Sequence, residues 1–249
     1  MNNWINNFLH GRINLLDGIR ARHNQQKFEQ FVILGFNCET AFRFYCRWGF
    51  LDSSLFAWAN TICLETLTKA ICDFPALGTG EFAFHQKSRM WMCANSGIFF
   101  HGRLRAQLPG QPEPTEDVLA ADREELRSRI AHLKEKFASY ATNEKSTLFV
   151  YRIGFDVEKP GLAKKLDNLE AALVRLGARN WKLLVVCRRA DLPRMPAGPN
   201  RIFRAVSKFN PTTNVTTKSK GDSIGWNRIF TEFAPVHVLK KAHDFKFEH

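Results

Sequence analysis

The hydrophobic positions of the chain fall into two kinds of run. Short apolar stretches at residues 31–34, 148–151 and 183–187, within segments 147–152 and 181–187 for the last two, have the length and continuity of strands buried on both faces. Longer stretches carry apolar residues at steps of three and four, the period of a helix with one face on a core. In residues 115–140 that set is Leu119, Leu126, Ile130, Leu133 and Phe137. After Pro160 it is Leu162, Leu166, Leu169, Leu173 and Leu176, closed by Gly177. Residues 39–47 predict a shorter helix stopped at Gly49. A run carrying Trp58, Ile62, Leu67 and Ile71, with caps offered by Asp52, Ser53 and Ser54, predicts another that breaks at Asp73-Phe74-Pro75. Residues 201–206 predict a further strand. Strand, helix, strand in this rhythm implies right-handed crossovers and a parallel sheet.

Residues 81–105 change character. Phe82 and Phe84 alternate with smaller residues, and Met90 to Ala94, the turn Asn95-Ser96-Gly97 and Ile98 to His101 predict an antiparallel hairpin. The expected fold is α/β, three-layer, with a mainly parallel sheet, flanking helices and an inserted antiparallel hairpin. Residues 1–22 carry an amphipathic pattern (Trp4, Ile5, Phe8, Ile13, Leu15, Leu16, Ile19) that predicts an N-terminal helical arm. Such an arm packs on the core or on a second copy in a homo-oligomer. Residues 23–249 then form a single α/β domain with the hairpin inserted at about 81–105.

Composition narrows the class. With 249 residues, 45% of them hydrophobic, 22 phenylalanines and six tryptophans, the chain can bury a full core and is not disordered. No run of about 18 apolar residues occurs, so no transmembrane helix is expected. Residues 1–23 lack the apolar region and small-residue cleavage site of a signal peptide, which makes the cytoplasm the expected location. Six cysteines (38, 46, 63, 72, 93 and 187) include no C-x-x-C pair and read as reduced thiols, with no zinc site, metal or cofactor implied. Cys46, Cys63 and Cys72 lie in apolar helical stretches and are expected in the core. The formal net charge of +12 and the pI of about 9.7 favour an anionic partner. The charge is dispersed, with no block of five or six consecutive basic residues and no helix-turn-helix, RNP or zinc-finger pattern. That argues against nucleic acid and for an anionic small molecule or a glycan.

The candidate chemistry sits after the first strand. Gly35, Phe36 and Asn37 form a tight turn, and the helix pattern begins at Cys38 or Glu39. Asn37 is a suitable N-cap, and the amides after it, with the Asn37 side chain if the cap is given up, would bind a substrate oxyanion. Cys38 then stands at the positive end of a helix and at the carboxyl end of a strand, where ligands bind in open α/β sheets. The helix dipole and free amides favour a thiolate there. Two readings oppose a nucleophile: a free cysteine usually packs as a small hydrophobe, and the neighbouring Glu39 is a like charge unless its carboxylate turns away. A phosphate-cradling loop is the weaker functional reading, with one glycine in place of G-x-G-x-x-G. Arg152, at the carboxyl end of the second strand, would orient an anionic substrate. Asp222 and Trp226, in a Gly-flanked segment near the end, would line the pocket; the alternative is that Asp222 merely caps the helix that follows.

Leu34-Gly35-Phe36-Asn37-Cys38-Glu39-Thr40-Ala41, followed by Gly49-Phe50-Leu51-Asp52-Ser53-Ser54-Leu55-Phe56-Ala57-Trp58, resembles the bacterial DUF1796 family of papain-like cysteine peptidases. The strand ending in Arg152 and the Gly221-Asp222-Ser223-Ile224-Gly225-Trp226 segment are similar to later pieces of that family. The first block is the specific part of the match. Ala57 stands where the family has the aspartate of an Asp-Trp pair. The resemblance implies a Cys/His site, with a histidine after the hairpin strand. His101, at the strand exit, is therefore the preferred base for Cys38, and His85, one strand earlier, the second choice. A papain fold, however, sets its cysteine on a helix packed against an antiparallel barrel, whereas the periodicity here sets Cys38 at a strand-to-helix elbow, as in esterases whose nucleophile follows the first strand. Three functions follow as expectations. The first is a cysteine-nucleophile hydrolase or acyltransferase on an anionic or glycan-linked substrate. The second is a glycosyltransferase-like enzyme of surface-polysaccharide synthesis with Cys38 structural. The third is a non-enzymatic anion-binding module.

Overall fold

The computed structural model describes residues 25–36, 39–48, 54–104, 113–154, 160–209 and 222–236. The arm expected over residues 1–22, and with it any oligomer contact through the arm, lies outside the described residues, as do Asn37 and Cys38.

The continuous apolar runs form one parallel sheet because a strand covered on both faces can expose no polar face to water. Gln30–Ile33 (β2), Thr147–Arg152 (β7), Trp181–Arg188 (β8) and Arg201–Val206 (β9) pair in the order β2-β7-β8-β9, every pair parallel. All six residues of β7 are buried. A short strand, Gln26–Phe28 (β1), precedes β2 with only Glu29 between them, and pairs in parallel with Phe233–Pro235 (β10).

Alternate residues of the sheet supply two separate cores, as the two-residue period of a strand requires. Val32, Leu34, Phe149, Tyr151, Leu183, Val185 and Cys187 pack with residues of three helices: Leu64–Cys72 (α2), Glu116–Thr142 (α3) and Leu162–Leu176 (α4). Phe31, Ile33, Leu148, Val150, Leu184 and Val186 pack with Ala41 and Phe44 of Glu39–Trp48 (α1) and with Trp226, Ile229 and Phe230 of Ser223–Glu232 (α5). The leucine stripe of α4 is buried from Leu162 to Leu173, and the helix ends at Gly177 with φ of 109°.

Three sequence expectations are corrected. The helix expected from residue 52 onward is confined to α2. Residues 55–58 form a turn, Ala59–Asn60 is a strand (β3), and Ile62 is exposed with φ of 51°. Tertiary hydrogen bonds override the helical spacing: the Ser54 hydroxyl donates to the Ile33 carbonyl (3.1 Å) and Thr61 Oγ1 accepts from the Phe36 amide (2.9 Å), pinning this stretch to the end of β2. The hairpin is also half of something larger. Phe82–His85 (β4), Met90–Cys93 (β5) and Ile98–His101 (β6) join β3 in a four-stranded antiparallel sheet of order β3-β6-β5-β4. Finally, Cys72 is exposed and Cys63 half-buried, because they stand at the two ends of α2. Cys72 Sγ accepts from Arg175 (3.0 Å); among the described side chains, which leave out that of Cys46, the buried thiols are Cys93 and Cys187. Among the described residues no helix is long and apolar enough to cross a membrane.

Phe137 ties α3 to β7 and to the turn before β3. It is fully buried, meets Phe56 edge-on at 5.0 Å and lies 6.5 Å from Phe149 of β7. Phe137→Ala should lower the unfolding free energy by about 3–5 kcal/mol, the usual cost of emptying a packed aromatic site. Urea unfolding followed by circular dichroism measures it, and a loss under about 1 kcal/mol would mean that this contact does not hold α3 in place.

Candidate functional site

The turn after β2 is conformationally unusual. Gly35 has φ of 90° and Phe36 φ of 80°, two successive residues in the left-handed region. Glycine enters that region freely, and a Cβ at Gly35 would come within 2.8 Å of Thr61 Cγ2 and 3.1 Å of the Phe56 carbonyl. For a phenylalanine the same conformation costs on the order of 1–3 kcal/mol and persists only where surrounding contacts enforce it. Two contacts do so here. The Phe36 amide donates to Thr61 Oγ1, and the Phe36 ring lies where a Cβ on Gly154 would collide with it. Gly154 follows β7 by two residues, so the carboxyl ends of two neighbouring strands are shaped to each other at this ring.

Arg152, the last residue of β7, lies beside them. It is 7% exposed. Its guanidinium carbon is 4.9 Å from the Phe36 ring centroid and 3.9 Å from that of Phe209, which follows β9. Arg152 Nε is 3.5 Å from Glu39 Oε2, and Glu39 Oε1 is 3.8 Å from Arg43 Nε. The carboxylate of the first α1 residue is thus held between two arginines. Burial pushes the Arg152 pKa down to about 10, against the opposing pull of the Glu39 charge. Arg152 Nε and Nη1 have no hydrogen-bond partner, and neither has the hydroxyl of Thr40, fully buried in the first turn of α1.

The other expected site residues separate into groups. Arg152 is brought to the start of α1, immediately after the positions of Asn37 and Cys38. His101 ends β6, with its carbonyl accepting from Arg129. Because β3 and β6 are antiparallel, with Ala59 opposite Phe100, Thr61 at the elbow and His101 lie at opposite ends of that pairing. His85 is exposed, with Nδ1 at 2.8 Å from the Ser88 hydroxyl in a surface turn. Asp222 caps α5: Oδ1 accepts from the Gly225 amide (2.9 Å) and Oδ2 from the Ser207 amide (2.6 Å). Trp226 is 1% exposed and stacks on Phe230 at 5.9 Å inside the α1–α5 core, with Nε1 lacking a hydrogen-bond partner. Among the described residues, no group of three or more histidine, cysteine, aspartate or glutamate side chains could hold a metal ion. Phe209, Gly154 and the packing of Phe36 escaped the sequence reading; the one signal was a glycine two residues beyond a strand-ending arginine.

Compared with protein-family models, curated proteins and solved structures, the chain matches none. The likeness to the papain-like family therefore rests on the quoted residues alone.

Partial burial opposes ionisation of Asp222, but the Gly225 and Ser207 amides outweigh it and hold its carboxyl below the ordinary aspartate value. A depressed carboxyl pKa adds stability that is present above the unfolded-state value, about 4, and is lost as pH falls through the folded one. Asp222→Ala should therefore destabilise the protein by about 1 kcal/mol at neutral pH, as loss of an N-cap does. The difference from wild type should hold down to about pH 4 and shrink below it. Parallel urea titrations test this; a difference that persists undiminished in strong acid would show that the Asp222 charge does not act through the cap.

Proposed function

We propose that the chain is an α/β enzyme of acyl transfer or hydrolysis that uses Cys38 as nucleophile on an anionic or glycan-linked substrate. In this reading the parallel sheet is the middle of three layers, with α1 and α5 on one face and α2, α3 and α4 on the other. The observation that carries it is the state of Glu39. A carboxylate next in sequence to a nucleophilic cysteine would oppose the thiolate, but the Glu39 carboxylate is engaged by Arg152 and Arg43. The positive end of α1 is left free to favour an anion at Cys38. The strained Phe36 supports the same reading, since left-handed non-glycine residues gather at functional turns.

The chemistry follows from those parts. Cys38 Sγ attacks the substrate carbonyl while His101 accepts the thiol proton. The amides at the start of α1 receive the oxyanion, and Arg152 holds the negative group of the substrate. The leaving group departs with the proton from His101. Water, or an acceptor hydroxyl or amine, then attacks the thioester, passes its proton to His101 and releases Cys38. His101 lies at the end of the β3–β6 pairing away from Thr61, so this step needs the exit of β6 to close over the elbow. The second reading, a polysaccharide transferase or an anion-binding module with Cys38 inert, is favoured by Arg152 alone, since a buried guanidinium suits an anion without any nucleophile.

The reactivity of Cys38 separates these readings. Brief alkylation at about pH 6, below the ordinary thiol range, should modify Cys38 well ahead of the exposed Cys72, as read by mass spectrometry. His101→Asn should slow it. Labelling of Cys38 no faster than that of Cys72 would return the cysteine to a packing role, and stabilisation by nucleotide sugars would then favour the transferase.

A further inference from the structure

The antiparallel sheet carries a row of soft metal donors on its outer face. His85 of β4 stands opposite Met90 of β5, and Met90 stands opposite His101 of β6. Residues directly opposite across paired strands project to the same side, so the three side chains form one row, imidazole, thioether, imidazole. The core of this sheet is on its other face, where Phe82, Trp91, Cys93, Ile98 and Phe100 are buried. Met90 is only 7% exposed, yet it belongs to neither hydrophobic core. Its thioether is thus buried away from the apolar packing that a methionine ordinarily serves.

The histidines are set for a shared ligand. The rings of His85 and Phe99 meet edge-on at 5.7 Å. Phe99 lies on β6, two residues before His101 and on the same face. The backbones of β4 and β6 stand two strand spacings apart, about 9.5 Å, so this contact brings the two rings together over β5. His85 Nδ1 is held by Ser88, at 2.8 Å from its hydroxyl and 3.2 Å from its amide, which turns Nε2 away from that turn. A metal at Nε2 would set the ring proton on Nδ1, donated to the Ser88 hydroxyl, the outer partner that orients a ligating imidazole.

The donor set selects the metal. Zinc takes thiolate, imidazole and carboxylate, and magnesium and calcium take oxygen, but the paired positions of this face offer no carboxylate and no thiol. Thioether beside imidazole suits a soft monovalent cation. We infer that His85, Met90 and His101 form a binding site for Cu(I), held by one nitrogen of each histidine and by the Met90 sulfur. The inference goes beyond the proposed function and shares one residue with it. A His101 that holds Cu(I) is not at the same time the base for Cys38, so the metal would shut that reaction off.

The test uses the full chain with its accessible thiols, Cys38 among them, capped by N-ethylmaleimide, so that it does not depend on the cysteine chemistry. Ag(I), a redox-inert substitute for Cu(I), is titrated in while NMR follows the methionine methyl groups and the histidine ring nitrogens. The Met90 methyl and one nitrogen each of His85 and His101 should shift together and saturate, while the methyl of Met195, packed against the main core, stays in place. His85→Asn, His101→Asn and Met90→Leu should each weaken this binding at least about tenfold, since even the loss of an outer partner of a ligand costs that much. His85 is exposed, so its variant keeps the fold and the result stays readable. A Met90 methyl that does not move, one that moves without both histidines, or binding as tight in His85→Asn as in wild type overturns the inference. So does tighter binding of Zn(II) than of Ag(I) at the same resonances. An unreactive Cys38 in the uncapped protein would sink the cysteine reading and leave this site untouched.

Discussion

A strand buried at every position ends on an arginine, and that constraint shapes the carboxyl edge of the sheet. β7 lies between β2 and β8, and its last residue is still paired with Val186 of β8. The guanidinium of Arg152 must therefore be accommodated inside. Phe36 and Phe209 cover it and Glu39 supplies a countercharge. Each of these partners comes from a different part of the chain: the turn after β2, the segment after β9 and the first residue of α1. The arginine thus couples the conformation of the elbow to the packing of the sheet. Phe36 is driven into the left-handed region, and Gly154 is needed to leave room for its ring.

The scaffold around this edge is rigid where the site needs it. The β2–β7 register carries on past the strand end, with the Leu34 amide donating to the Val150 carbonyl at 2.9 Å. Toward β8 the Ile153 amide donates to the Val186 carbonyl at 2.9 Å, so the backbone on both sides of Arg152 is fixed. α1 and α5 lie on the same face, joined through Phe44, Trp48 and Phe230, whose rings meet at 4.9–5.2 Å. An anion held at the start of α1 would rest on a frame with little freedom to shift, which is what positioning a substrate requires.

Much of this frame was legible in the sequence, and for physical reasons. Strands buried on both faces write themselves as unbroken apolar runs, so Phe31 to Leu34, Leu148 to Tyr151 and Leu183 to Cys187 were readable. The stepped leucines of α4 and the apolar face of α3 were readable in the same way. The stretch from 55 to 63 was not, because its apolar spacing mimics a helix while Ser54 bonds to the end of β2 and Thr61 to the turn after it. Nor was β10, three residues that take strand form only by pairing with β1. The site was half legible. Arg152 at a strand end and a cap at Asp222 follow from local rules. The packing of Phe36 into the Gly154 notch and the cover of Phe209 over Arg152 are long-range contacts that leave no periodic mark. Trp226 read as a pocket residue because it stood in a Gly-flanked segment, but helix α5 turns it into the core.

The central proposal is that the elbow between β2 and α1 favours an anion at Cys38, with the Glu39 carboxylate engaged by Arg152 and Arg43. Ultraviolet absorbance of the thiolate, titrated against pH and corrected with Cys38→Ser, measures this most directly. The account predicts that Cys38 ionises below the ordinary thiol range in the wild-type protein and moves upward in Arg152→Gln, where Glu39 loses one of its two countercharges. A Cys38 that titrates like an ordinary thiol in both proteins would contradict it.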